Sequence, residues 1–83
     1  MEHWQDWQSN GAPKHLGDLW TLRKGARRAD CVLVGHPRGC EVRVEVDGKL
    51  VRSEAFSGGA EAVVEATAWR DAFTQKGWRG DGA

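Results

Sequence analysis

The stretch Cys40-Glu-Val-Arg-Val-Glu-Val-Asp-Gly-Lys-Leu-Val-Arg-Ser-Glu-Ala-Phe56 decides how the rest of the chain is read. Val42, Val44 and Val46 alternate with Glu41, Arg43 and Glu45, the two-residue period of a strand with one buried and one wet face. Asp47-Gly48 offers the two positive-φ positions of a tight hairpin turn, so a second strand returns over Lys49 to Phe56. A plain two-residue loop sets Val46 against Lys49, Val44 against Val51, Val42 against Ser53 and Cys40 against Ala55. One hairpin face is then apolar. The other sets Arg43 against Arg52 and Glu41 against Glu54, with Glu45 beside Leu50. Diagonal pairing of Arg43 with Glu54 and of Arg52 with Glu41 relieves the opposed like charges.

On the N-terminal side, Asp18 to Arg23 reads as a short first strand and Asp30 to His36 as a second. Pro37 suits the first central position of a turn and Gly39 the left-handed residue of a three-residue loop. That loop pairs His36 with Cys40, Val34 with Val42 and Val32 with Val44. It turns Cys31, Leu33, Trp20 and Leu22 to the opposite face, where Cys31 and Cys40 are too far apart for a disulfide. A one-residue slip of the turn would exchange the faces.

After Phe56 the period changes. Ser57 is a fair N-cap, the alanine-rich run to Lys76 favours helix, and Ala62, Ala66, Trp69 and Phe73 form one stripe that Val63 widens. Gly77 suits the helix end, with Trp78 packing back on the last turn. The expected fold is α+β: a four-stranded antiparallel meander followed by one C-terminal helix packed on one sheet face, in the order ββββα. Residues 1–17 read as an irregular arm carrying Trp4 and Trp7, residues 18–78 as the single domain, and residues 79–83 as a disordered tail.

The chain of 83 residues has room for one modest core, with roughly 60 to 65% of its unfolded surface buried on folding. Twelve basic and twelve acidic residues cancel, which argues against a surface built as a whole for nucleic acid or anionic membrane. Neither a membrane-spanning run nor a basic-apolar leader pattern is present in the sequence, so a cytoplasmic protein with reduced thiols is expected.

The constellations for chemistry are thin. His36 and Cys40 flank one turn but lack the further ligands of a zinc site and the orienting carboxylate of a nucleophile-base pair. The acidic residues alternate with basic ones, so no isolated carboxylate pair suggests acid-base work. Neither Gly35-His-Pro-Arg-Gly39 nor Ser57-Gly58-Gly59 has phosphate-loop spacing. No enzyme, metal or cofactor is expected.

Leu19-Trp20-x-Leu22-Arg23-Lys24, His36-Pro37-x-Gly39, Val46-Asp47-Gly48 and Trp69 with Gly77-Trp78 resemble the motifs of a set of small bacterial proteins of uncharacterised function. The similarity spans Leu19 to Trp78 and implies no activity. In element order alone the chain is also similar to the ββββα single-strand-binding proteins of the transcription-cofactor and Whirly type.

The expected working surface is the second sheet face, bearing Trp20, Leu22, Leu33, Arg43 and Arg52. Its apolar half needs a cover: the tryptophans of the arm, a second copy of the chain, or a protein partner. The first functional expectation is a small non-enzymatic interaction module that self-associates as a homodimer. The alternative is a single-stranded nucleic-acid binder using Trp20 and the sheet arginines.

Overall fold

The structure is a computed structural model, and it describes residues 14–80. The expected arm therefore lies largely outside the described residues, as do 81–83. Five strands and one helix follow in order: β1 (Lys14–Lys24), β2 (Arg27–His36), β3 (Gly39–Val46), β4 (Lys49–Phe56), α1 (Gly59–Gln75) and β5 (Arg79–Gly80). The sheet is antiparallel throughout, in spatial order β4-β3-β2-β1-β5, and α1 packs on one face of it.

The ββββα reading of the alternating valines and the alanine-rich run is borne out, with a short fifth strand added. Asp47 at φ 53° and Gly48 at φ 84° form the two-residue turn that the Asp-Gly pair promised. The Asp47 carboxylate accepts hydrogen bonds from the Arg28 backbone N–H at 3.0 Å and from Arg27 Nε at 3.2 Å. These bonds tie the β3–β4 turn to the neighbouring hairpin and hold the Asp47 carboxyl below its ordinary pKa.

Three register expectations are corrected. First, the β2–β3 loop has two residues: His36 pairs with Gly39, Leu33 with Val42 and Cys31 with Val44. Gly39, at φ 158°, does not take the left-handed conformation expected of it. It instead permits close approach, since a Cβ there would stand 2.3 Å from the Phe56 carbonyl oxygen. This register gathers Cys31, Leu33, Trp20 and Leu22 onto the same face as Cys40, Val42, Val44 and Val46, so the larger apolar set lies under the helix.

Second, a bulge at Val51 shifts β4 by one residue past Leu50, so that Val44 faces Arg52, Arg43 faces Ser53 and Glu41 faces Ala55. The bulge removes the opposed like charges of the regular register and brings Phe56 onto the helix side beside Cys40. Third, β1 begins at Lys14, four residues before the strand read from sequence, and irregularities at Leu16 and Leu19 break its period of two. At the other end, Arg79 and Gly80 pair with Arg23 and Leu22, where tail was expected.

The helix buries Ala62, Ala66 and Trp69 against Cys31, Cys40, Val42 and Val44. Val63, expected to widen the stripe, is 46% exposed. Gly58 is the N-cap, and Ser57 instead donates its hydroxyl to Glu61 Oε1. At the C-terminus Trp78 N–H bonds Phe73 O and Gly77 N–H bonds Thr74 O, with Gly77 at φ 100°. That is a Schellman motif, and its hydrophobic contact is the Phe73–Trp78 ring pair at 5.5 Å. Lys24 Nζ donates to the Lys76 carbonyl at 2.7 Å, satisfying another acceptor at the helix end. Phe73 also meets Trp20 at 5.5 Å, joining the two core clusters.

Candidate functional site

The five residues expected on one working face divide between two. Leu22 is fully buried against Ala29, Val46 and Trp78, and Leu33 packs against the main cluster beneath α1. Trp20 lies there as well, with its Nε1–H donating to the Ala66 carbonyl at 2.8 Å and its ring against Phe73. An indole committed in this way leaves little face for stacking on a base. Arg52 is carried to the helix side by the bulge, and its guanidinium lies 4.2 Å from the Trp69 ring centroid, a cation–π contact. Arg43 alone stands on the opposite face, beside Ser53 and Val32. The apolar strip that seemed to need a cover is therefore covered by α1.

The face away from α1 is laid out by β2 and β3: Asp30, Val32, Val34 and His36 alternate with the set beneath α1, as do Glu41, Arg43 and Glu45, and of these Val34 is buried. No helix among the described residues covers it. Thr21 donates to Asp30 Oδ1 at 2.8 Å and Arg28 Nε donates to the same oxygen at 3.0 Å. His36 Nε2 lies 3.0 Å from Glu41 Oε1, and an Arg43 Nη lies 3.6 Å from that oxygen. Burial by itself would raise the Glu41 pKa. Hydrogen bonds from His36 and Ser53 and the Arg43 charge outweigh it and hold the carboxyl below its ordinary value.

A depressed carboxyl stabilises the fold above its unfolded pKa, and this contribution disappears as pH falls through the folded value. Glu41→Gln is expected to cost roughly 1 kcal/mol at neutral pH. Its thermal melts should converge with the parent's in acid, as pH falls through the depressed folded pKa. Curves that stay parallel from pH 7 into acid would show that Glu41 is not held in this way.

Chemistry at the thiols is constrained by the same register. Burial pushes the Cys31 thiol up to about 12, so it carries almost no thiolate at neutral pH. Cys40 faces α1 while His36 pairs with Glu41 on the other side of the sheet, so these two do not assemble as nucleophile and base. Both cysteines are free thiols. Among the described residues no group of three or more His, Cys, Asp or Glu side chains is arranged to hold a metal ion.

The feature that sequence reasoning missed is the outer edge of β4. Every residue from Lys49 to Ala55 is exposed, and among the described residues no strand pairs with that edge. Leu50, Val51 and Val64 are three of the large apolar side chains that remain exposed, and all lie near it. Val64 belongs to a shallow groove whose other walls include Ala55, Phe56 and Ala60. One signal was present: Leu50-Val51 adjacent on a strand breaks strict alternation, which marks either a bulge or an outward apolar residue.

Comparison with protein-family models, with curated proteins and with solved structures returned no significant match. No helix among the described residues is long and apolar enough to cross a membrane.

Proposed function

We propose that the chain is a small non-enzymatic interaction module that works by self-association. The observation behind this reading is a strand edge, carrying the exposed Leu50 and Val51, that has no neighbour among the described residues. Apolar side chains beside an unpaired edge form a surface that another polypeptide completes. The separation of His36 from Cys40 and the high pKa of Cys31 favour binding over nucleophilic chemistry.

The test is solution mass by light scattering across a concentration series at low and high salt. A dimer is expected at both salts, because burial of apolar side chains is little affected by screening. A monomer at every concentration overturns the reading. Association only with added single-stranded oligonucleotide, lost steeply as salt rises, would overturn it in favour of a nucleic-acid platform.

A further inference from the structure

We infer that the second copy docks by antiparallel pairing of β4 with β4, around a twofold axis at Ser53, to form one continuous sheet from two chains. The inference rests on the self-association reading and specifies its geometry.

The direction of the free backbone groups follows from the turns. His36 with Gly39 and Val46 with Lys49 each flank a two-residue loop, so both are hydrogen-bonded pairs. Alternation from these two ends agrees along β3: Glu41, Arg43 and Glu45 turn their N–H and C=O groups to β2, and Cys40, Val42 and Val44 turn theirs to β4. Ser53 and Ala55, opposite Arg43 and Glu41, therefore aim their N–H and C=O groups out of the sheet. The edge is a usable ladder centred on Ser53.

Side chains on this edge are self-complementary. Arg52 and Glu54 share the helix side, facing Val44 and Val42. A twofold at Ser53 sets Arg52 opposite Glu54 of the second copy and Glu54 opposite Arg52 of the second copy. One kind of pair thus occurs twice, as an isologous interface requires. On the same axis Val51 approaches Ala55 of the second copy. Val51 is 56% exposed in the single chain, so this contact buries an open apolar group of the edge. A docked stranger would need its own matching charges; a second copy brings them.

Three variants test the geometry by sedimentation or light scattering, with circular dichroism to confirm that each folds. Ser53→Pro removes an outward N–H that no strand among the described residues uses, and is expected to yield monomer, whereas Ser53→Ala keeps the N–H and the dimer. Glu54→Arg sets like charges opposite each other twice and is expected to weaken association about tenfold. Adding Arg52→Glu restores complementarity and should bring affinity back to within about threefold of the parent. Should Ser53→Pro not fold, the Glu54→Arg and double-variant comparison decides alone. A parent dimer that is indifferent to Ser53→Pro or Glu54→Arg overturns the β4 geometry while leaving self-association standing. A parent that is monomeric at all concentrations overturns both.

Discussion

Trp69→Ala is expected to remove a large share of the chain's folding stability. Trp69 is 3% exposed and sits at the centre of the contact between α1 and β3, packed with Ala62, Ala66, Val42 and Val44. The other buried residues of the helix, Ala62 and Ala66, are alanines, which bring the backbone of α1 close to the sheet and leave the indole to supply most of the buried volume. The ring also carries the Arg52 guanidinium at 4.2 Å, and its Nε1–H donates to Glu65 Oε2 at 3.0 Å. Truncating a buried tryptophan costs about 3 to 5 kcal/mol, because a cavity adds to the lost transfer energy. The usual per-residue stability of a chain of this length amounts to about 4 to 12 kcal/mol in total. The loss therefore takes a large share of what holds the domain together. Urea titration followed by circular dichroism should show a midpoint far below the parent's and a shortened folded baseline. Arg52→Ala, which removes only the cation–π lid, should cost about 1 kcal/mol and remain folded. A Trp69→Ala midpoint close to the parent's would show that α1 is held to the sheet by something other than this indole.

Gly39→Ala should be the most damaging single-methyl change in the chain, at about 2 to 4 kcal/mol. The added Cβ would meet the Phe56 carbonyl oxygen at 2.3 Å and the Ser57 Cα at 3.3 Å. Both obstacles are backbone, so no side-chain rotation relieves them. The end of β4 has to swing away from the start of β3, which opens the Cys40–Phe56 pair and disturbs the entry to α1. Gly59→Ala is the matched control: its Cβ meets nothing within 4 Å, and alanine suits the first turn of a helix. Equal denaturation midpoints for the two alanine variants would contradict the close approach at Gly39.

Much of the architecture was legible because its signals are local. Alternating Val42, Val44 and Val46, the Asp47-Gly48 turn, the Ala62, Ala66, Trp69 and Phe73 stripe and the Gly77-Trp78 ending each specify a short piece of backbone, and each piece formed. The relation between pieces was less legible. Whether Pro37-Arg38 or Pro37-Arg38-Gly39 is the loop changes pairing by one residue, and one residue exchanges the faces of β2. The bulge at Val51 does the same to Arg52 and Glu54, and the irregularities at Leu16 and Leu19 hid the first third of β1 from any count of period. The expected site inherited these errors. Trp20, Leu22 and Leu33 were correctly grouped with one another, but on the side that α1 covers; Arg43 was placed correctly as an outward residue, while Arg52 was not. The decisive quantities, an opposed charge relieved and a glycine pressed on a carbonyl, depend on contacts between strands and cannot be read from one strand at a time.

The two-residue bonding of β5 to β1 has a kinetic consequence. Three successive hairpins, each closed by a loop of two residues, are built from contacts near in sequence and incur little entropic cost on closure. Joining Arg79 and Gly80 to Leu22 and Arg23, together with the bond from Lys24 to Lys76, closes a loop through nearly the whole domain. This clasp is the long-range event of folding and the natural last step. It is also where opening begins: among the amides that face a neighbouring strand, those of the β1–β5 pairing should exchange first, while those shared by β2 and β3 wait for global unfolding.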